Sequence, residues 1–292
     1  MLRRLRPFLF VTFILLFILI PTMRAQAADD DADRAADALK EVVKTLDTMG
    51  TFADIEASFP PDFSTFNPST ELELSGIFSQ SLGTSLNNTP PSTIQALATA
   101  IDDADITTTD GTTISYDNVV VGLNGTAIDI RFDIAITKNT TLPLSVILPQ
   151  SDPEIRDQII QGGEIPISLT LNSTIVASHE TTEPVLADAF TFISEPIFTL
   201  ALNTSGDYAP FKSIFGITEL TVSGHSDLHL TRQIAFLDPD GANLTLYEIQ
   251  TTALEDLLEV TAADFPNADD IDLLLNLDTT LANITASISW VD

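Results

Sequence analysis

Beyond residue 105 apolar and polar residues alternate with a period of two, the pattern of strands with one covered face and one wet face. The clearest run is Ala127–Thr137. Ile128, Ile130, Phe132, Ile134 and Ile136 fall on one side of it, and Asp129, Arg131 and Asp133 on the other. Glu164–Ala177 repeats the pattern through Ile165, Ile167, Leu169 and Leu171. The same reasoning predicts strands at Ile106–Thr109, Thr112–Tyr116, Val119–Leu123, Thr141–Leu148, Ala189–Ile193 and Ile197–Leu202. It predicts more at Glu219–Ser223, Ser226–Leu237, Ile271–Leu277 and Leu281–Val291, and a short one at Glu71–Leu74. Asp110-Gly111 and Asn124-Gly125 have the composition of hairpin turns. Lys138-Asn139-Thr140 is expected to turn the chain back so that Thr141–Leu148 pairs with Ala127–Thr137, and Gly224-His225 to separate two strands.

Helical spacing appears mainly near the start. In Asp29–Gly50 the residues Leu39, Val42, Val43, Leu46 and Met49 recur every three or four positions, and Gly50 is a natural stop. Pro90–Asp102 aligns Ile94, Leu97, Ala98 and Ile101, with Pro91 near its first turn. Asp152–Ile160 and Leu254–Val260 predict one or two turns each. Between the first two helices, Phe52–Pro68 carries Phe52, Phe59, Phe63 and Phe66 among prolines, as in an irregular segment laying its rings on a core. Short turns and few intervening helices indicate antiparallel sheet rather than βαβ units. The expected class is therefore mainly β: an antiparallel sandwich or long twisted sheet, with an N-terminal amphipathic helix and one or two short helices, so that the chain is grouped with all-β proteins. The expected division is residues 1–27 as an export signal and 28–105 as a helical and irregular lead-in. Residues 106–292 form the β-rich domain, with 28–105 packed on it or continuous with it.

The N-terminus changes the picture of where the protein works. Met1–Arg6 carries three arginines, Phe8–Ile20 is apolar except for Thr12, and Ala25-Gln-Ala27 fits a small-x-small cleavage site. That run is shorter than the roughly twenty residues a helix needs to cross a bilayer. The expectation is cleavage after Ala27 and an exported chain, extracellular, at the cell surface or periplasmic, with no membrane span after cleavage. Loss of residues 1–27 removes four arginines and no acid, lowering the formal charge from −30 by four to −34. Such a surface repels nucleic acid and attracts divalent cations. The chain has no cysteine, so no disulfide holds it.

Candidate chemistry sits in acidic loops. Asp238-Pro-Asp-Gly-Ala-Asn-Leu-Thr-Leu-Tyr-Glu248 is spaced like a calcium loop, which sets oxygen ligands at alternate positions and closes with a glutamate. Asp238, Asp240 and Glu248 are the candidate ligands of Ca2+. The loop spans eleven residues where the EF-hand pattern has about twelve, and Ala242 stands where glycine is expected. An acidic turn without an ion accounts for the same residues. Asp264, Asp269, Asp270 and Asp272, with Asn267, form a second oxygen-rich candidate, and Asp102, Asp103 and Asp105 a third. His225, Asp227 and His229 share one strand face, which the alternation places toward solvent. The chain has no GxSxG elbow, HExxH, phosphate loop or nucleophilic cysteine, so the expectation is a non-enzymatic protein.

Phe215–Glu248 resembles the repeat units of very large bacterial extracellular, calcium-associated, adhesin-like proteins. Asp238, Pro239, Gly241, Leu244, Thr245, Leu246 and Glu248 carry the resemblance. Leu39–Asp105, with Leu-Gly-Thr-Ser-Leu at 82–86, is similar to their helical lead-in, and Ala253–Val291 to their closing strands. The resemblance implies a structural or adhesive role toward a protein or glycan at a surface, in one or two repeat units. Asp292 directly follows an apolar strand, as in a chain that continues into a longer polypeptide. A second reading stays open: amphipathic strands with the Leu39–Met49 helix wrapping an apolar cavity for a lipid or other hydrophobic ligand.

Overall fold

The computed structural model describes residues 31–53, 55, 58, 66–88, 90–143, 163–215, 218–262, 269–278 and 283–291. The segment expected to be an export signal, Phe59, Phe63, the helix expected at Asp152–Ile160, Asp264 and Asn267 lie outside these residues. One open, strand-dominated antiparallel sheet organises the rest. Its strands are β1 (Ile106–Thr107), β2 (Thr113–Asn124), β3 (Ala127–Pro143), β4 (Glu164–Glu180) and β5 (Phe190–Phe192). They continue with β6 (Ile197–Phe215), β7 (Thr218–Phe236), β8 (Leu258–Ala262), β9 (Asp269–Asp278) and β10 (Asn283–Val291). The order is β1-β2-β3-β4-β6-β7-β9-β10, with β5 also on β4 and β8 also on β7. Antiparallel neighbours joined by short turns follow the expectation from the alternation.

Several strands are longer than the pattern suggested. Lys138-Asn139-Thr140 does not turn. β3 runs straight through it, with Lys138 opposite Leu169 and Asn139 opposite Ser168 of β4, so Thr141 and Leu142 extend β3 instead of returning along it. The triplet contains neither glycine nor proline, and Leu142 keeps the alternation by being buried. Lys138 also has work to do there: its ammonium lies 2.6 Å from Asp110 Oδ2 and donates to the Glu71 carbonyl at 2.8 Å. Gly224-His225 likewise sits within β7, paired across to Tyr208 and Asp207. Gly224 does not take the positive φ of a turn glycine. At the β2–β3 hairpin Asn124 is still paired with Ala127, so Gly125 (φ +68°) and Thr126 make the turn.

Helices correct the all-β expectation: the fold is mixed, with several real helices against a dominant sheet. α1 covers residues 31–49. Then come α2 (Pro68–Glu71), a π-helical stretch at Ser79–Gly83, α3 (Thr84–Asn88) and α4 (Ile94–Asp102). α5 (Leu186–Ala189), α6 (Leu246–Thr251) and α7 (Leu254–Leu257) follow among the strands. The strand expected at Glu71–Leu74 is replaced by α2 and a turn. Asn67 caps α2 by accepting from Thr70 N–H at 3.1 Å, Pro68 occupies its first turn, and Glu73 then takes φ +55°. α4 starts at Ile94 behind its cap Thr93. No helix among the described residues is long and apolar enough to cross a membrane.

The core lies between the helices and one face of the sheet. Ala35, Ala36, Leu39, Val42, Val43, Leu46 and Met49 of α1 join the inward side chains of β2, β3, β4, β6 and β7 in one cluster. Each fully buried aliphatic side chain contributes about 1.5–3 kcal/mol relative to exposure. Phe78 meets Phe198 edge-on, and Phe198 tilts against Phe236, which ties the helical layer to the middle of the sheet. Asp47 of α1 accepts from the N–H groups of Phe78 and Ser79 and from the Ser79 hydroxyl. Tyr116 of β2 bonds Ser81 at 2.8 Å. Arg232 lies on the covered face of β7, its Nε donating to the Ser58 carbonyl at 2.8 Å.

Gly50 ends α1 for a steric reason. A Cβ there would stand 2.4 Å from Ser75 N and 2.7 Å from Leu74 C, both backbone atoms that cannot swing away. Gly50→Ala is therefore expected to cost about 1–3 kcal/mol, read as a lower urea midpoint with an unchanged slope.

His179 of β4 is fully buried, and neither ring nitrogen has a hydrogen-bond partner. Burial, with help from the charge of Arg34 and against the pull of Glu180, pushes its pKa down to about 4. The unfolded chain, with histidine near 6.5, thus binds a proton that the folded protein excludes. This contribution to stability is complete above pH 6.5 and is lost as pH falls toward 4. His179→Leu is expected to flatten the fall in melting temperature between pH 7 and pH 5. An unchanged slope would assign the acid sensitivity to other groups.

Candidate functional site

The acidic loop begins where β7 ends. Phe236 is the last strand residue, and Leu237 N–H donates to the Leu257 carbonyl at 2.8 Å. From there Asp238 Oδ1 accepts from Asp240 N–H (3.0 Å) and Gly241 N–H (3.1 Å), and Asp240 Oδ1 accepts from Ala242 N–H (3.0 Å). Gly241 takes φ +76°, supplying one residue early the sharp turn that the EF-hand pattern asks of its sixth position. That is how an eleven-residue loop closes despite Ala242.

The loop exits into a helix. Thr245 makes one isolated bridge to Thr191, Phe192 N–H donates to the Leu244 carbonyl at 2.8 Å, and the chain then enters α6. Thr245 and Glu248 form a capping box. Thr245 Oγ1 accepts from Glu248 N–H at 3.2 Å, while Glu248 Oε2 accepts from Thr245 N–H at 2.8 Å and its hydroxyl at 2.7 Å. Leu246 and Ile249 are buried, so the helix is held to the core and Glu248 is held toward the loop.

Asp238, Asp240 and Glu248 are thereby brought together, each offering a carboxylate oxygen within 4.8 Å of the other two. In each residue one oxygen serves the loop backbone or the cap, and the other makes no hydrogen bond. Chemically this is a half-exposed, oxygen-only cluster able to coordinate a divalent ion.

Asp269, Asp270 and Asp272 belong to β9, not to a loop. Register places Asp270 opposite His229, Asp272 opposite Asp227 and Asp269 opposite Leu230. Asp105 accepts from Tyr116 N–H at 2.8 Å, a structural contact between the end of α4 and β2.

His225 and His229 lie on the wet face, about 13 Å apart by strand rise, too far to share an ion. Each has its own neighbour instead. His225 Nδ1 lies 3.1 Å from Asp207 Oδ1, and His229 Nδ1 is 2.9 Å from Asn203 Oδ1. His229 Nε2 is also 3.1 Å from Asp227 Oδ1, close enough for attraction but off the line of a hydrogen bond.

Sequence reasoning missed the β2 bulge and the residues around it, Asp117, Asn118 and Asp133. Asp133 was legible as a wet-face residue of β3, but a bulge leaves no mark in a period-two pattern. Three valines after Asn118 read as ordinary strand.

With this geometry in view, no family model, no curated protein and no solved structure matches the chain. The class is therefore defined by the fold itself: a strand-rich open antiparallel sheet, one face buried by helices, with a three-carboxylate cluster at the end of β7.

The capping box can be tested alone. Thr245→Ala removes the side-chain cap of α6 and one hydrogen bond that orients Glu248. It is expected to cost about 1 kcal/mol in chemical denaturation. An effect below a few tenths would mean that burial of Leu246 and Ile249 alone fixes α6.

Proposed function

We propose that this chain is an exported, non-enzymatic structural or adhesive β module that calcium stabilises at Asp238, Asp240 and Glu248. The observation that carries the reading is the meeting of those three carboxylates, each with one uncommitted oxygen. Calcium takes about six to eight oxygens, so backbone carbonyls and water would complete the shell. The ion would tie the end of β7 to the start of α6, replacing mutual repulsion by attraction to a common centre. The formal charge of −30 favours cations over anions at this surface. The signal-like N-terminus supports export, and the resemblance of Phe215–Glu248 to adhesin-like repeat units supports a surface role. Helical and strand side chains of the described residues meet in one cluster, which supports a scaffold over the lipid-carrier reading.

Thermal unfolding in EDTA and in graded calcium tests the proposal. Calcium is expected to raise the melting temperature more than magnesium or sodium at equal ionic strength, because a ligand that binds only the folded state stabilises it. At a calcium concentration about a hundred times the dissociation constant, the gain is about 2.7 kcal/mol. Asp238→Ala and Glu248→Ala are expected to abolish the selective rise. An equal response to all three cations would reduce the cluster to an acidic turn.

A further inference from the structure

Three irregularities of the sheet meet at one place on its wet face. The first is the bulge in β2. Asp117 pairs with Asp133 and Val120 with Arg131, so Asn118 and Val119 together oppose Phe132. Asn118 holds φ +54°, a left-handed conformation that residues with a Cβ seldom adopt. Bulges of this kind re-aim side chains and occur beside functional sites more often than elsewhere.

The second is a break on the other side of β4. β5 ends with Phe192 opposite Ala177, and β6 takes over at Thr199 opposite Asn172. Between them the chain passes Pro196, which has no N–H to give a ladder. The third is Ile197 at that break, a large apolar side chain left 47% exposed.

Between bulge and break lies an open groove of about 600 Å³, lined by Asp117, Asn118, Asp133, Asn172, Thr174 and Thr199. That volume lies in the range of small-molecule sites, about 300–1,000 Å³. Asp133 organises it. Its Oδ1 accepts from Thr174 Oγ1 and its Oδ2 from Asn118 Nδ2, both at 2.6 Å. With one Asn118 N–H and the Thr174 hydroxyl proton committed, Asn118 keeps its second N–H and its side-chain carbonyl, and Thr174 its hydroxyl lone pairs.

The lining selects among ligand classes. Two carboxylates directly opposed across the β2–β3 ladder, Asp117 and Asp133, repel anions. Both oxygens of Asp133 are already hydrogen-bonded, so the groove falls well short of a cation shell. Ile197 and Ala135 supply some apolar surface, but the lining is mostly polar, which disfavours a wholly apolar ligand. What suits carboxylates, amides and hydroxyls beside a small apolar patch is a neutral molecule with several hydroxyls, which both donate and accept, and a C–H face. Hydroxyls donating to Asp117 would also ease the like-charge pair.

We infer that this groove binds a neutral saccharide, with Asp117, Asn118, Asn172 and Thr199 as the contacting residues and Asp133 as the positioning residue. The inference rests on the adhesive reading and gives it a ligand class.

The test is a glycan array of neutral and charged oligosaccharides probed with the purified protein. Titration calorimetry with the best neutral binder follows, in EDTA and in calcium. Saturable binding of a neutral glycan is expected, weakened about tenfold or more in Asn172→Ala and lost in Thr199→Trp, which fills the groove. Both variants should keep the wild-type melting temperature, because both positions face solvent. No saturable binding to any neutral glycan, preference for charged glycans, or binding retained in Thr199→Trp would each overturn the inference. The calcium response is read separately on the same samples. A calcium-dependent melting temperature without glycan binding sinks only the groove, and glycan binding without selective calcium stabilisation sinks only the ion.

Discussion

An antiparallel sheet whose strands alternate apolar and polar residues has one face that water must not reach, and the rest of this structure answers to that requirement. The chain has no cysteine to staple it, so the cover has to be held by packing. α1 meets the need with alanines and branched aliphatics on one stripe, Ala32, Ala35, Ala36 and Leu39 among them, all buried. Small side chains let a helix approach closely. At its end Gly50 runs so near the Leu74–Ser75 backbone that no Cβ fits. Arg34 fixes the other end by donating to the carbonyls of Thr181 and Glu183.

The wet face shows how a strongly acidic chain tolerates its own charge. Its carboxylates are largely engaged by short polar partners. Asp129 accepts from Ser178 and Asn124, Asp133 from Thr174 and Asn118, and Glu180 from Thr182 and Thr126. Hydrogen bonds to the ionised form hold Asp133 and Glu180 below the usual carboxylate range. On the covered face, Lys138 of β3 stands opposite buried Leu169. Burial opposes its charge, but bonds to Asp110 and Glu71 outweigh that and raise its pKa, while its hydrogen bond pulls Asp110 down. One cation thus joins α2, the β1–β2 turn and β3.

The carboxylate cluster and the groove arise differently. Asp238, Asp240 and Glu248 lie within eleven residues, and a local turn with a capping box suffices to bring them together, so their proximity is legible as a motif. The groove draws on β2, β3, β4 and β6. Asp117 and Thr199 become neighbours only because β2 pairs with β3, β3 with β4 and β4 with β6 in one register.

What the sequence by itself determined is which segments are amphipathic and with which period, because burial of one face is a short-range property of residue spacing. The inward rows of β3 and β4 and the stripe of α1 follow from it. Tertiary structure alone decided how far strands continue through Lys138–Thr140 and Gly224-His225, since a turn forms only where no neighbouring strand offers hydrogen bonds to go on. It also decided where β2 bulges and where β5 gives way to β6. Those choices depend on partners tens of residues away, and no spacing rule within a strand records them.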